Sequence, residues 1–455
     1  MIKKEIFREY DIRGIYDSEL NEDTAYLIGK AYGTILQREY NKKKCIVGYD
    51  NRLSSVSLYE ALVKGILETG VDVVSIGLTT TPMYYFAWDY LNVKCGVMIT
   101  ASHNPKEYNG FKFSYNGLHN AFGASVYHLF DVIQSNDFIK GNGILIEKKV
   151  KDEYINLLLK GIKLGDRQLK VVFDCGNGTT SIVARDVLSK LDIELVNLYD
   201  VSNGEFPNHH PDPCVEDNLV ELKHTVIDTK ADIGVAYDGD GDRVGVVDEK
   251  GNYIPTDLFM VIIWRDIYNK IKDKRGLLDV KCSKALEDEM IKLGIKPIIY
   301  RTGNSYTKEK MVSAKLPFGG ELSGHVYFQD KFPGYDDGIY ASLRIEILSH
   351  TDKTLSSLLD GINKYYNTPE IKIEVSDNVK FKIIDKVKQY AIFNKLNFID
   401  IDGVKILYED GFALIRASNT GPNITLRFEA RDKDKLKEIK EYYVNLVNKY
   451  IKEED

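Results

Sequence analysis

LKVVFDCGNG, residues 169–178, is an apolar run that passes at Asp174 into a small polar loop. Ser181 to Leu191 then carry a helix pattern, and IELVNLY at 193–199 is a second apolar run. A helix pattern between two short apolar runs predicts a βαβ unit in a largely parallel sheet. The order recurs on both sides of this segment. Upstream stand CIVGYDNR (45–52), a helix pattern from Leu58 to Glu68, and VDVVSIG (71–77). Downstream stand GLLDVKCS (276–283), Ala285 to Leu293, and IKPIIYRTG (295–303). Repeats spaced by roughly a hundred residues are repeated domains, because solenoid periods are about 20 to 50 residues.

The last ninety or so residues follow another pattern. A helix pattern at Lys382 to Asn394 precedes the strands FIDI, VKILYE, FALIRAS and ITLRFEA, with Asp402-Gly403 and Asp410-Gly411 as turns. A second helix, Lys435 to Ile451, places Leu436, Ile439, Tyr443, Leu446, Val447 and Tyr450 on one face. This is α+β with an antiparallel sheet. The fold class is therefore α/β in four domains, three of similar mixed topology and a C-terminal α+β domain. Boundaries are expected at 1–149, 150–252, 253–364 and 365–455.

Composition excludes several classes. The 455-residue chain has 61 Lys plus Arg against 68 Asp plus Glu, a formal charge of −7. Nucleic-acid and anionic-membrane binders carry the opposite bias, so neither partner is expected. A content of 44% hydrophobic residues supplies apolar material for several cores. No apolar run approaches the ~18 to 20 residues that span a bilayer. The segment MIKKEIFR lacks the apolar stretch of a secretory signal. Five scattered cysteines, at 45, 95, 175, 214 and 282, form neither a disulfide framework nor a CxxC metal site. A cytoplasmic protein with reduced thiols is expected.

Four loops carry chemistry. In Asp238-Gly239-Asp240-Gly241-Asp242-Arg243, flanked by DIGVAY and VGVVD, three carboxylates crowd into five residues. Alternating glycines let the backbone turn all three inward, and their mutual repulsion calls for a divalent cation with hard oxygen ligands, Mg²⁺ or Ca²⁺. A solvated acidic turn needs neither three Asp nor two Gly. An EF-hand is excluded because Arg243 stands where its sixth position requires Gly and the flanks read as strands. In Gly96 to Pro105, GVMITASHNP, a strand runs into a loop that makes Ser102 a candidate nucleophile or phosphate carrier beside His103, with Lys112 shortly downstream. Alone, a Ser-His pair is more often an ordinary turn. Gly319 to His325, GGELSGH, offers a carboxylate, a hydroxyl and an imidazole. Arg416 to Asn423, with Arg427 on the next strand, offers a guanidinium, hydroxyls and backbone N–H groups suited to phosphate. Together these loops point to a phosphorylated sugar.

TASHNP, DGDGDR, GELSGH and RASNTGPNITLRFEA, in that order, resemble the α-D-phosphohexomutases, specifically the phosphomannomutase/phosphoglucomutase branch. FREYDIRGIY, VGYDNRLSS, GLTTTP, FPNHHPDP and DVKCS agree, so the resemblance covers the whole chain. It implies four domains around a central cleft, the last similar to the TATA-box-binding protein. It implies an intramolecular phosphotransferase that interconverts hexose 1-phosphate and hexose 6-phosphate, of mannose or glucose, with a hexose 1,6-bisphosphate as intermediate and activator. Ser102 would be the phosphoserine, and Asp238, Asp240 and Asp242 would bind Mg²⁺ together with it. Lys112, Arg243 and His103 would serve the reaction. Glu321 and Ser323 would hold sugar hydroxyls, with His325 and Lys281 close by. Arg416, Ser418, Asn419, Thr420 and Arg427 would grip the distal phosphate, and Tyr10 and Arg13 fall at the matching N-terminal positions. A monomer or weak dimer is expected.

Two positions depart from the family pattern. Asn304 stands where the family segment usually reads TGHS, and an amide is no general base near neutral pH. Leu322 occupies the middle of GELSGH, where this branch commonly has Met and the glucosamine mutases Gln. With SNT in place of SGT, it favours mannose and glucose phosphates over the amino sugar. The alternatives are a phosphoglucosamine mutase and a non-catalytic sugar-phosphate sensor.

Overall fold

The three repeats fold as sheets with flanking helices, followed by a fourth sheet, in a computed structural model that describes residues 2–117, 119–418 and 421–454. The first sheet has the order Ile12–Ile15, Tyr108–Ser114, Gly96–Ile99, Lys44–Tyr49, Asp72–Leu78, Leu145–Glu147. The second runs Tyr253–Ile254, Val244–Asp248, Ile233–Tyr237, Leu169–Asp174, Ile193–Leu198. The third runs Lys296–Tyr300, Arg275–Asp279, Phe318–Gly320, Val326–Phe328. In the fourth, Asn423–Ala430 and Gly411–Ala417 form the centre, every pairing is antiparallel, and helices Asp377–Phe393 and Lys433–Lys452 cover one face.

The first three sheets are mixed, which corrects the largely parallel expectation. Strands 44–49, 72–78 and 96–99 are parallel, as are 169–174, 193–198 and 233–237. The chain then reverses into an antiparallel partner: 96–99 returns as 108–114, 233–237 as 244–248, and 318–320 as 326–328. Ser102, the three aspartates and Glu321 sit in those reversals, and Arg416 leads into the equivalent one of the fourth sheet. The site is thus built from four hairpin loops at the carboxyl ends of strands, where sheet backbone groups are already paired and loop groups are left to bind.

A second correction concerns Ser181 to Leu191. In place of one helix there is a 3₁₀ turn, Thr179–Ile182, and a short helix, Ala184–Leu188, separated by Val183 at φ −142°, ψ −27°. β-branched residues at 179, 180, 182 and 183 weaken helix propensity. The Thr179 amide and hydroxyl also both donate to Gly239 O (2.9 and 3.0 Å), tying this turn to the acidic loop.

A continuous apolar cluster joins the first three units, with Tyr84 and Trp88 from the first, Phe173 and Val235 from the second, and Trp264, Phe328 and Tyr340 from the third. Each large side chain so buried stabilises the assembly by about 1.5 to 3 kcal/mol. The fourth unit has its own core, including Ile415, Phe428, Ile439, Tyr443 and Val447, and meets the third through Val280, Phe412 and Leu414. Among the described residues, no helix is long and apolar enough to cross a membrane.

Candidate active site

Ser102 is 2% exposed and lies in the left-handed region at φ +52°, held by its amide donating to Thr100 Oγ1 (2.8 Å). Its hydroxyl donates to Asp238 Oδ2 (2.9 Å) and lies 3.3 Å from His103 Nδ1. Burial and the nearby cations Arg243 and Arg13 hold the His103 pKa well below the usual imidazole range. Arg13 donates to Asn104 Oδ1 (2.8 Å) in the same loop and pairs with Asp11 (2.6 Å).

The acidic loop lies directly against Ser102. A Cβ on Gly239 would come within 2.6 Å of Ser102 O, so only glycine permits this approach, and Gly241 turns the loop at φ +82°. Asp238, Asp240 and Asp242 are at most 1% exposed and offer oxygens within 4.8 Å of one another. Lys112 Nζ donates to Asp240 Oδ2 (2.7 Å) and Asp242 Oδ2 (2.8 Å), and Arg243 Nε lies 3.7 Å from Asp238 Oδ2. Burial works against ionisation of all three. For Asp240 and Asp242 the Lys112 ammonium outweighs it and holds both carboxyls low. Asp238, pressed by burial and by the other two carboxylates, is pushed well up.

A divalent cation fits this arrangement. Three carboxylates face two protein cations, and Asp240 Oδ1 and Asp242 Oδ1 are buried with no hydrogen-bond partner among the described residues. Buried carboxylate oxygens without donors are costly unless a cation meets them, and an all-oxygen donor set suits Mg²⁺.

A second network adjoins the first. His325 is 4% exposed, its Nδ1 is 2.8 Å from Asp336 Oδ2, and its Nε2 is 3.0 Å from Arg243 Nε. An arginine Nε can only donate, so in the neutral ring Nε2 accepts and Nδ1 carries the proton toward Asp336. Against burial, the carboxylates of Asp242 and Asp336 raise the His325 pKa; protonation would break the contact with Arg243. Asn304 Nδ2 makes a short hydrogen bond to Asp336 Oδ2 and lies 3.0 Å from His325 Nδ1.

The remaining loops meet at Thr302 and Gly303. Glu321 Oε2 accepts from Gly303 N (3.2 Å) and Ser323 Oγ (3.4 Å), while its buried Oε1 has no hydrogen-bond partner among the described residues. Tyr10 OH donates to Thr302 O (3.0 Å), and Thr302 N donates to Asp402 Oδ2 (3.1 Å). Asp402 also receives Arg416 through Nε (3.1 Å) and Nη2 (3.0 Å). A hydrogen-bonded path thus runs from the first unit to the fourth. Lys281 pairs with Glu370 (3.2 Å), and Arg427 is buried nearby, its charge felt at both Glu370 and Asp257. Ser418 Oγ accepts from Gly421 N (3.2 Å), and Lys380 Nζ donates to Ser418 O (2.6 Å). Asn419 and Thr420 lie outside the described residues.

Sequence reasoning missed Asp336, Thr81 and Asp402. Thr81 Oγ1 donates to Asp240 Oδ2 (2.6 Å), and its amide donates to Asp240 O (2.8 Å). The Asp336-Asp337 pair inside an otherwise apolar stretch was the available signal, since buried acids need partners. Asp402 reads as a turn residue, which it also is, and Thr81 stands in GLTTTP as the first residue of the helix Thr81–Tyr90.

Family models for phosphoglucomutase/phosphomannomutase match in chain order: α/β/α domain I at residues 4–137, domain II at 152–251, domain III at 255–365, and the C-terminal domain at 370–446. A phosphomannomutase/phosphoglucomutase of Pseudomonas putida is 39% identical over 441 residues, 96% of this chain and 94% of the relative. A phosphoglucomutase of Neisseria meningitidis serogroup A is 37% identical, covering 94% of each. A crystal structure of a phosphoglucomutase/phosphomannomutase family protein from Burkholderia thailandensis superposes with a TM-score of 0.92 at 36% identity, covering 99% of this chain and 98% of that one.

Proposed function

This chain belongs to the phosphoglucomutase/phosphomannomutase family, and from that premise we propose that it is an intramolecular phosphotransferase interconverting hexose 1-phosphate and hexose 6-phosphate through phosphorylated Ser102. The observation that carries this reading is the Ser102 hydroxyl lying 2.9 Å from Asp238 within a buried cluster of three aspartates and Lys112. Glucose and mannose are the proposed sugars, and a hexose 1,6-bisphosphate the activator that loads Ser102.

Asp238, Asp240 and Asp242, with a phosphoryl oxygen on Ser102, would hold Mg²⁺. The ion would offset phosphoryl charge as it spreads onto the oxygens. Lys112 and Arg243 add fixed positive charge at the same place, and charge neutralisation with in-line placement is most of what phosphoryl transfer requires. The bond from phosphorus to Ser102 Oγ breaks as one from phosphorus to the free sugar hydroxyl forms, and the hydroxyl proton passes to a nearby base. The resulting 1,6-bisphosphate turns over in the cleft and returns its other phosphate to Ser102. Glu321 and Ser323 would hold sugar hydroxyls. Arg416, Ser418, Asn419 and Thr420, with Arg427, would hold the non-reacting phosphate; Lys281 and His325 would stand by the sugar hydroxyls, Tyr10 by the Thr302 junction, and Arg13 by the Ser102 loop. The five free cysteines fit a reducing cytoplasm, and a net charge of −7 argues against nucleic-acid and anionic-membrane partners; a monomer or weak dimer is the proposed state.

A coupled assay with glucose, mannose and glucosamine 1-phosphates tests the reading. Turnover of the first two with little of the third is expected; turnover of none leaves a sugar-phosphate sensor.

Arg416→Ala should raise KM for glucose 1-phosphate and glucose 6-phosphate by similar factors, each losing a charge-assisted contact of about 1.5 to 3 kcal/mol. A reorienting bisphosphate must present either end to one anion site. A defect confined to one substrate contradicts that shared site.

Asn304 is assigned a positioning role on Asp336 and His325. Asn304→Ala should lower kcat by about tenfold or less, the scale of one or two lost hydrogen bonds. Asn304→His should leave kcat close to wild type, because His325 already supplies an imidazole at this network. A hundredfold gain in the histidine variant would show the amide to be a catalytic deficit.

A further inference from the structure

Arg52 is 2% exposed, and all of its guanidinium protons are engaged outside the acidic loop and the sugar loop. Nη2 donates to Ser102 O (2.8 Å) and Asn104 O (2.6 Å), and Nη1 to Pro105 O (2.6 Å) and Tyr108 O (3.0 Å). Nε donates to Asp50 Oδ2 (3.1 Å). A guanidinium has five N–H donors in a rigid fork, and here five acceptors meet them. Four are carbonyls of the one loop that carries Ser102.

The arrangement has an anchor and a cover. Asp50 Oδ1 accepts from the Arg52 amide (3.1 Å) and from the Ser55 hydroxyl, which fixes where the fork points. From the second unit, the Phe206 ring lies 5.3 Å from the guanidinium carbon, and Gly204 packs so closely that a Cβ there would sit 2.2 Å from Asn51 O. Asn51 Nδ2 donates to Asn177 O (2.6 Å) and Ser202 Oγ (3.0 Å) of the same unit. The Ser102 carbonyl contact is thereby buried, and the unit bearing the acidic loop is fastened to the unit bearing Ser102.

We infer that Arg52 is a positioning residue for phosphoryl transfer: by gathering the four carbonyls of residues 102, 104, 105 and 108 it holds Ser102 in the left-handed conformation that aims its Oγ at Asp238. The inference rests on Ser102 being the phosphoryl carrier. Carbonyl dipoles pointing at one spot repel without a cation, and a non-glycine residue at φ +52° persists only where its surroundings enforce it. A lysine cannot replace the fork, since its three donors diverge from a single point and reach fewer of five acceptors.

The test compares wild type with Arg52→Lys and Asp50→Asn, each purified full-length and checked by thermal unfolding. For each, kcat and KM for glucose 1-phosphate are measured, together with the single-turnover rate of Ser102 phosphorylation by glucose 1,6-bisphosphate. A displacement near 1 Å at a reacting centre costs on the order of 10²-fold. Arg52→Lys is therefore expected to lower kcat and the phosphorylation rate by about 10²-fold, and Asp50→Asn by about tenfold, with KM changed less than about threefold in both. A merely structural role would lower the folded fraction and leave that split unmoved. Wild-type kcat in folded Arg52→Lys, or in folded Asp50→Asn should the lysine variant not fold, overturns the inference. So does failure of both variants to fold, which would make the pair a determinant of the fold alone. A wild-type chain that turns over no sugar phosphate removes the functional reading and this inference together; an active wild type with unaffected variants removes only the inference.

Discussion

Ser102→Ala is expected to lower mutase turnover by at least ~10³-fold, because removing a covalent carrier closes the route entirely. Intact-mass analysis of the wild type should show one phosphate, absent from the variant. The fold should survive: Asp238 keeps the Gly241 and Arg243 amides on its Oδ1 (3.0 and 3.1 Å), and the Ser102 loop keeps its carbonyl contacts to Arg52. Thermal unfolding close to wild type, with activity gone, is the combined result that separates chemistry from stability. Phosphate found on another residue of active enzyme would sink the assignment.

Chelation has a comparably large expected effect. Exhaustive EDTA treatment should reduce turnover to background, and added Mg²⁺ should restore it. Removing the ion leaves three buried carboxylates against Lys112 and Arg243, with Asp240 Oδ1 and Asp242 Oδ1 unsatisfied. Mg²⁺ should also raise the unfolding temperature, since a ligand at 100 times its Kd stabilises the native state by about 2.7 kcal/mol. Asp240→Asn should abolish that thermal shift as well as the activity. Full activity after rigorous metal removal would contradict the assignment.

The three repeated units and the separate fourth sheet were legible because hydrophobic periodicity is local. The acidic loop was legible for another reason: three Asp spaced by Gly have little use besides gathering charge. Sheet direction was not legible. Apolar runs such as Ile233 to Tyr237 and Val244 to Asp248 look alike whether they run parallel or antiparallel, and the tight loop between them is what forces the reversal. The Ser181 to Leu191 helix failed because tertiary hydrogen bonds from Thr179 to Gly239 outcompete a weak local propensity. Asp336, Asp402 and Arg52 act across 11 to 56 residues of sequence, on His325, Arg416 and Tyr108 respectively, and no short motif records such pairings. Asn304 was legible as a departure. Its partners were not, and they turn an apparent loss of a base into a contact that orients Asp336 beside His325.

The central claim is that Ser102 carries the phosphate between the two ends of the sugar. Glucose 1,6-bisphosphate labelled with ³²P in both phosphates, incubated with dephosphorylated wild-type protein and Mg²⁺, tests it most directly. The label should appear on Ser102 at up to one equivalent per chain and, on adding unlabelled glucose 1-phosphate, pass into glucose 6-phosphate and the bisphosphate pool. Glucose 6-phosphate formed while Ser102 stays unlabelled, or label that leaves Ser102 only as inorganic phosphate, would contradict the account.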